Sequence, residues 1–296
     1  MEPILLLEGD PLVACDGVAH SLYALESPKS EVSIQESFCL KTYEKTYRIL
    51  ELEEANDYRC NVIKIQEIPY GLQSYGTGSL AWESSIIMSL YFSVHPEKLH
   101  GKILELGSGC GLGLLTLNMV DDLDRITSFT FTDYCSEVLS QCRRNFQQYL
   151  NRIQFTRSPK LDAQHLDWYD YLHCNSRQVT LNYDILIASD VAYRNQDLKP
   201  LKVTIQQFLR YGSCAHVFGP IHRSVFQNLI HELKNDDHFH VETEVLKASR
   251  QRLTTTDKPM DRMVDSDSPT INFLHISIRR RNVAKHESTA SFMDID

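Results

Sequence analysis

The stretch Lys102-Ile103-Leu104-Glu105-Leu106-Gly107-Ser108-Gly109-Cys110-Gly111-Leu112-Gly113, with an apolar run on to Val120, leaves few folds open to this chain. Its first half reads as a short buried strand, because Ile103, Leu104 and Leu106 are apolar and a turn signal follows at once. Its second half spaces Leu112, Leu115, Leu117 and Met119 as a packed helix does. Glycine in the turn between them lets the backbone take positive φ and lets a ligand approach the main chain. Strand, glycine turn and helix N-terminus together form the nucleotide-binding corner of an open α/β sheet.

The order of residues in the turn narrows the ligand. A dinucleotide fingerprint requires G-x-G-x-x-G, but the third glycine position holds Leu112 or Leu114, counted from Gly107 or Gly109. A phosphate-binding P-loop requires a lysine after its last glycine, and none follows. What stands here is Glu105 followed by Gly107, Gly109 and Gly111, which resembles the first motif of S-adenosylmethionine-dependent methyltransferases of the seven-β-strand class. A zwitterion suits such a turn: its amides meet a carboxylate, while Glu105 draws toward a cationic amino-acid end. A glycine turn of purely structural purpose is the competing reading.

With 296 residues the chain can hold one large α/β domain plus an extension, or two small domains. No apolar run approaches the roughly 20 residues of a membrane helix. Near the start, Leu12-Val13-Ala14-Cys15 imitates a lipoprotein box, but Glu2, Glu8, Asp10 and Pro11 spoil an export signal. The eight cysteines include no C-x-x-C pair, so zinc is not expected and reduced thiols of an intracellular chain are. The twelve histidines show no ligand spacing either; His216, His238 and His240 read as ordinary strand or loop residues. The formal net charge of −9 disfavours a phosphate-coated partner and suits a basic protein surface. Arg279-Arg280-Arg281 reads as a solvated end to the last strand.

Along the chain, residues 1–29 read as a loose leader with short pieces of structure. Alternation from Glu31 to Pro69, interrupted by the turn-like Asn56-Asp57, predicts an antiparallel strand pair. Strands are then expected at Ser128–Thr132, Leu161–Leu166, Tyr183–Ala188, Cys214–Phe218, Phe239–Leu246 and Ile271–Ile278. Helices are expected after Trp82 and over Cys135–Tyr149, Leu198–Leu209 and Pro220–Lys234. Ser249–Pro269, dense in Thr and Asp, reads as a mobile loop, and the polar tail as disordered.

Four further motifs stand in order along the chain. A glycine loop leads to Trp82 at a helix start. Asp133 ends the second strand about twenty residues past the glycines, where a carboxylate accepts from ribose hydroxyls or caps a helix. Leu166-Asp167-Trp168 closes the third strand, and Ser189-Asp190-Val191-Ala192-Tyr193 follows the fourth, where ligands sit in open parallel sheets. The D-x-x-Y of Asp190 and Tyr193 resembles the mark of methyltransferase family 16, the protein-lysine methyltransferases, over roughly Tyr75 to Arg279. The finer likeness is to the elongation-factor-2 lysine methyltransferase branch. No proline pair follows the fourth strand, unlike in nucleic-acid amino methyltransferases.

That resemblance implies an α/β, Rossmann-like, doubly wound sheet of seven strands, the last antiparallel between the fifth and sixth. It divides the chain into an extension (1–70), a methyltransferase domain (71–281) and a disordered tail (282–296). It implies S-adenosyl-L-methionine as cofactor, held by Trp82, Glu105, Gly107, Ser108, Gly109, Gly111, Asp133, Asp167, Trp168 and Ser189, with Trp168 near the adenine and no metal. Asp190 and Tyr193 take the catalytic places, Asp190 holding the incoming amine and Tyr193 orienting it. The expected activity is methyl transfer to a lysine of a protein such as an elongation factor or a chaperone, by a cytoplasmic or nuclear monomer with no membrane or nucleic-acid partner. A small-molecule or RNA methyltransferase, a histidine or arginine methyltransferase, and a non-catalytic interaction module are the alternatives.

Overall fold

The computed structural model describes residues 18–27, 32–39, 43–51, 60–68, 76–118, 123–151, 159–173, 182–253 and 270–281. The expected tail and leader (before residue 18), the Asn56-Asp57 turn and Val120 lie outside them. Short apolar runs build the parallel strands β5 (Gly101–Leu106), β6 (Ile126–Asp133), β7 (Lys160–His165), β8 (Ile185–Ser189) and β9 (Cys214–Pro220). β5 lies at the middle, with Ile103 beside Phe129 of β6 and Ile185 of β8. β11 (Thr270–Arg280) runs antiparallel between β9 and β10 (Phe239–Leu253), the arrangement expected of the last strand.

Period-two alternation sorts the core into two layers. Ile103 and Phe129 face α1 (Glu83–Val94), α2 (Leu114–Asn118) and α3 (Ser136–Leu150). Leu104, Leu106 and Leu186 face α4 (Leu198–Phe208) and α5 (Ser224–Lys234). The sheet is therefore wound on both faces, in a mixed α/β, Rossmann-like fold.

It is not seven-stranded. Eleven strands share one sheet, in the order β4-β3-β2-β1-β10-β11-β9-β8-β5-β6-β7. The expected antiparallel pair is β3 (Glu44–Glu51) with β4 (Cys60–Gln66), but β1 (Val18–Leu25) and β2 (Val32–Cys39) complete a four-stranded meander. β1 arises within the expected leader. β10 continues through residues assigned to a loop, and its second half pairs with β1, Ala248 opposite Leu25. Ser249, Arg250 and Gln251 carry no strand-like apolar alternation; backbone pairing to β1 decides their conformation. Tyr23, Ile34, Tyr47, Ile49, Ile63 and Ile65 of the meander are fully buried in the layer that holds α1 to α3.

Two helix starts also differ from expectation. α2 begins at Leu114 rather than Leu112, because Leu114, Leu115 and Thr116 donate to carbonyls three residues back and keep the glycine stretch in turns. α5 begins at Ser224 rather than Pro220, since Pro220 still pairs with Phe273 in the sheet. Among the described residues no helix is long and apolar enough to cross a membrane, and no cluster of three potential ligands is placed to hold a metal.

Candidate active site

The carboxyl ends of β5, β6 and β8 meet the segment Thr77–Trp82 and the turn after β7 around a cavity of about 220 Å³. Ten of the residues singled out from the sequence line it: Trp82, Gly107, Ser108, Gly109, Asp133, Asp167, Trp168, Ser189, Asp190 and Tyr193. Glu105 and Gly111 do not. Alternation along β5 turns Glu105 away from the cavity, beneath the glycine turn, where it is 1% exposed. Its Oε2 has no hydrogen-bond partner among the described residues, and burial pushes its pKa up to about 8. Gly111 instead packs against α3, where a Cβ would stand 2.7 Å from the Cys142 sulfur.

The turn is built for close approach. Gly107 takes φ +64° and Gly109 φ +54°, conformations that L side chains rarely adopt. A Cβ at Gly107 would lie 2.9 Å from Val191 and 3.4 Å from the Trp168 indole; one at Gly109 would meet the Gly78 carbonyl at 2.9 Å. Ser108 accepts from the Thr132 amide at 2.9 Å and so pins the turn to β6. Asp133 accepts from the amides of Gly109 (3.1 Å) and Cys135 (3.0 Å), which braces the turn and opens α3 together. Burial raises its pKa, and those two amides oppose the rise. Asp167 accepts from the Tyr169 amide at 2.9 Å and thereby starts the short 3-10 helix, Trp168–His173, that carries Trp168. The Ser189 and Ser85 hydroxyls, 2.6 Å apart, join β8 to α1.

Asp190 holds a left-handed backbone, φ +57°, shared among described non-glycine residues only with Tyr43. Such strain persists where its surroundings over-determine it, and it concentrates at functional sites. Here the Asp190 amide donates to the Phe218 carbonyl at 2.9 Å, and the Arg223 Nη1 stands 2.5 Å from its Oδ1. Burial raises the Asp190 pKa, and the Arg223 guanidinium works against that rise. Tyr193 lies 5.4 Å beneath the Arg194 guanidinium. Arg194 is 2.7 Å from Asp197, which accepts from the Tyr169 hydroxyl at 2.9 Å. Trp82, Tyr134 and Tyr169 stand exposed at the same mouth.

Sequence reasoning missed Tyr134, Tyr169, Arg194, Asp197 and Arg223. Tyr134, Tyr169 and Arg194 each adjoin a residue already chosen, a signal that was available. Arg223 has none, because its partner lies 33 positions away (223 − 190) on another strand end.

The model of the lysine methyltransferase family matches residues 62–228, more than half of the chain. A calmodulin-lysine N-methyltransferase of Arabidopsis thaliana is 25% identical over 230 residues, covering 74% of this chain and 70% of that protein. The protein-lysine methyltransferase METTL21E of Bos taurus is 23% identical over 137 residues, covering 45% of this chain and 44% of that one. The crystal structure of magnesium protoporphyrin IX methyltransferase from Synechocystis aligns at TM-score 0.40 and 10% identity, over 67% of this chain and 78% of that one. The chain belongs to the lysine methyltransferase family and is an S-adenosylmethionine-dependent methyltransferase.

Proposed function

We propose that the chain is a protein-lysine N-methyltransferase. The observation that carries the reading is Asp190, strained, with its side chain only 6% exposed and paired with Arg223 at the end of β8, beside Tyr193 in the cavity wall. Asp133, Asp167, Asp190 and Asp197 line the cavity; Arg223 pairs with Asp190 and Arg194 with Asp197, which leaves the lining net acidic. That balance attracts an ammonium and repels a phosphate backbone. The exposed rings of Trp82, Tyr134 and Tyr169 offer apolar faces to a lysine stem and π-faces to its charge. Both curated relatives are named as acting on protein lysines.

The cavity residues fit S-adenosyl-L-methionine. Left-handed Gly107 leaves a cleft between turn and indole that a side chain would fill. Gly107, Ser108 and Gly109 present main chain to the amino-acid end, and Trp82 closes that side. Each Asp133 oxygen that accepts one amide keeps a lone pair for a ribose hydroxyl. Trp168 offers a flat partner to the purine, with Asp167 holding its turn and Ser189 fixing β8 against α1. Glu105 supports the turn from below rather than touching the ligand.

The cofactor supplies an electrophilic methyl, so the protein has to align a nucleophile and exclude water. Asp190 accepts a hydrogen bond from the incoming amine, and Tyr193 orients it. The carboxylates draw the ammonium in, and its desolvation among the rings of Trp82, Tyr134 and Tyr169 works against their pull and eases loss of its proton.

Labelled cofactor added to an extract lacking the protein tests the function. We expect a labelled band lost on protease but not nuclease treatment, with mass spectrometry placing the methyl on lysine. Label that nuclease removes, or that hydrolysis assigns to histidine or arginine, would overturn the reading. Translation elongation factors are the first substrates to assay, given the finer likeness of the sequence, and the cytoplasm is the proposed compartment. Trp168→Ala should weaken cofactor binding roughly ten- to hundredfold by calorimetry, the worth of one stacked base; unchanged affinity would remove the indole from the site.

A further inference from the structure

The meander β1–β4 stands apart in the sheet order from β5, β6 and β8, yet its side chains grip both lips of the cavity. On one lip, Glu67 Oε1 accepts from the Ala81 amide at 2.7 Å, and Lys45 Nζ donates to the Ala81 carbonyl at 3.0 Å. Both main-chain polar groups of one residue in the cavity wall are thus held by side chains from or beside β3 and β4. Lys45 is itself fixed by Glu36 at 3.1 Å and Glu67 at 3.4 Å, and the Glu67 side chain is only 3% exposed. Next along the wall, Tyr23 donates to Glu83 at 3.1 Å and Arg250 pairs with Glu83 at 2.7 Å. The Ile68 amide, just past β4, donates to the Ser79 carbonyl at 3.2 Å.

The other lip is tied by Asn145 of α3. Its Nδ2 donates to the Cys110 carbonyl in the glycine turn at 2.8 Å and to the Gln66 carbonyl of β4 at 3.1 Å. Its Oδ1 accepts from the Gln66 amide at 3.0 Å. The end of β4 is therefore linked both to the Thr77–Trp82 wall and to the glycine turn, which come together at Gly78 and Gly109.

We propose that the four-stranded meander is part of the cofactor site, with Lys45, Glu67 and Asn145 as positioning residues that hold the two lips at binding distance. The inference rests on the S-adenosylmethionine reading of the cavity. A buried donor or acceptor that loses its partner is costly, so these links resist opening. Ordering the wall beforehand also removes a cost that binding would otherwise bear.

The test compares the full-length protein with Lys45→Met, Lys45→Arg and Glu67→Gln. The readouts are cofactor Kd by calorimetry, amide exchange over residues 78–82 without cofactor, and the thermal midpoint. Lys45→Met should weaken binding at least tenfold, speed exchange in the wall, and raise the cofactor KM with kcat at saturation kept. Lys45→Arg should restore most of the affinity. Glu67→Gln, milder and able to stand in if Lys45→Met does not fold, should weaken binding at least threefold. Lys202→Met, which removes the 3.2 Å pair with Asp236 on the other side of the sheet, should leave Kd unchanged. Kd and exchange that stay at the unsubstituted values while the midpoint falls would overturn the brace and leave the enzyme reading intact. No cofactor binding by the unsubstituted protein would overturn both.

Discussion

Asp190→Ala should lower kcat by roughly 10²- to 10⁴-fold, the range for a positioned polar group at a proton-losing nucleophile, while cofactor Kd changes little. Two effects are mixed in that variant. Alanine loses the carboxylate and also has to occupy φ +57°, which costs roughly 1–2 kcal/mol. Asparagine tolerates the left-handed region, so Asp190→Asn keeps the backbone and removes only the charge. Loss of turnover in both variants assigns the effect to the carboxylate; full turnover in Asp190→Asn would remove that charge from the mechanism. Arg223→Gln gives the complementary result. The guanidinium opposes the burial that raises the Asp190 pKa, so removing it lets that pKa climb further. The acidic limb of kcat/KM should then move to higher pH. A profile that stays in place would mean that Arg223 does not set the ionisation of Asp190.

Glu105→Gln should stabilise the protein at high pH and leave it unchanged at low pH. The Glu105 carboxyl has a folded pKa of about 8 against 4.5 for the ordinary group, because burial disfavours its charged form. Below pH 4.5 both folded and unfolded chains carry the proton, and pH has no effect through this residue. Between pH 4.5 and 8 the unfolded chain ionises while the folded chain stays neutral, so stability falls as pH rises. Above pH 8 the loss is complete, at roughly 3–5 kcal/mol. Glutamine has the same shape and no proton to lose, so urea midpoints for the two proteins should coincide near pH 4 and separate progressively to pH 9. Parallel curves would show that Glu105 does not titrate in that window. Burial thus favours the uncharged form of Glu105 in the folded chain at neutral pH.

Local pattern alone determined much of this protein. The apolar run before Gly107, the alternation ending at Asp133 and the run ending at Ser189 each marked a strand. The 3.6-residue stripe of Val138, Leu139, Cys142 and Phe146 marked α3. Those signals are legible because one side of each element is buried, and burial imposes a period that neighbouring residues share. Asp133, Asp190 and Tyr193 were legible for a related reason: a parallel sheet presents the residues after its strands to one ligand cleft.

Tertiary structure decided the rest. β1 and the second half of β10 hold each other in place across more than 200 residues of chain, and neither carries a sufficient pattern alone. The Arg223 grip on Asp190, the Lys45 and Glu67 grip on Ala81, and the Asn145 link between Gln66 and Cys110 join residues with no local relation. Even the direction of Glu105 depended on which face of β5 the helices covered. Each of these is a pairing of polar groups made worthwhile by shared burial, and burial of that kind exists only once distant segments have packed.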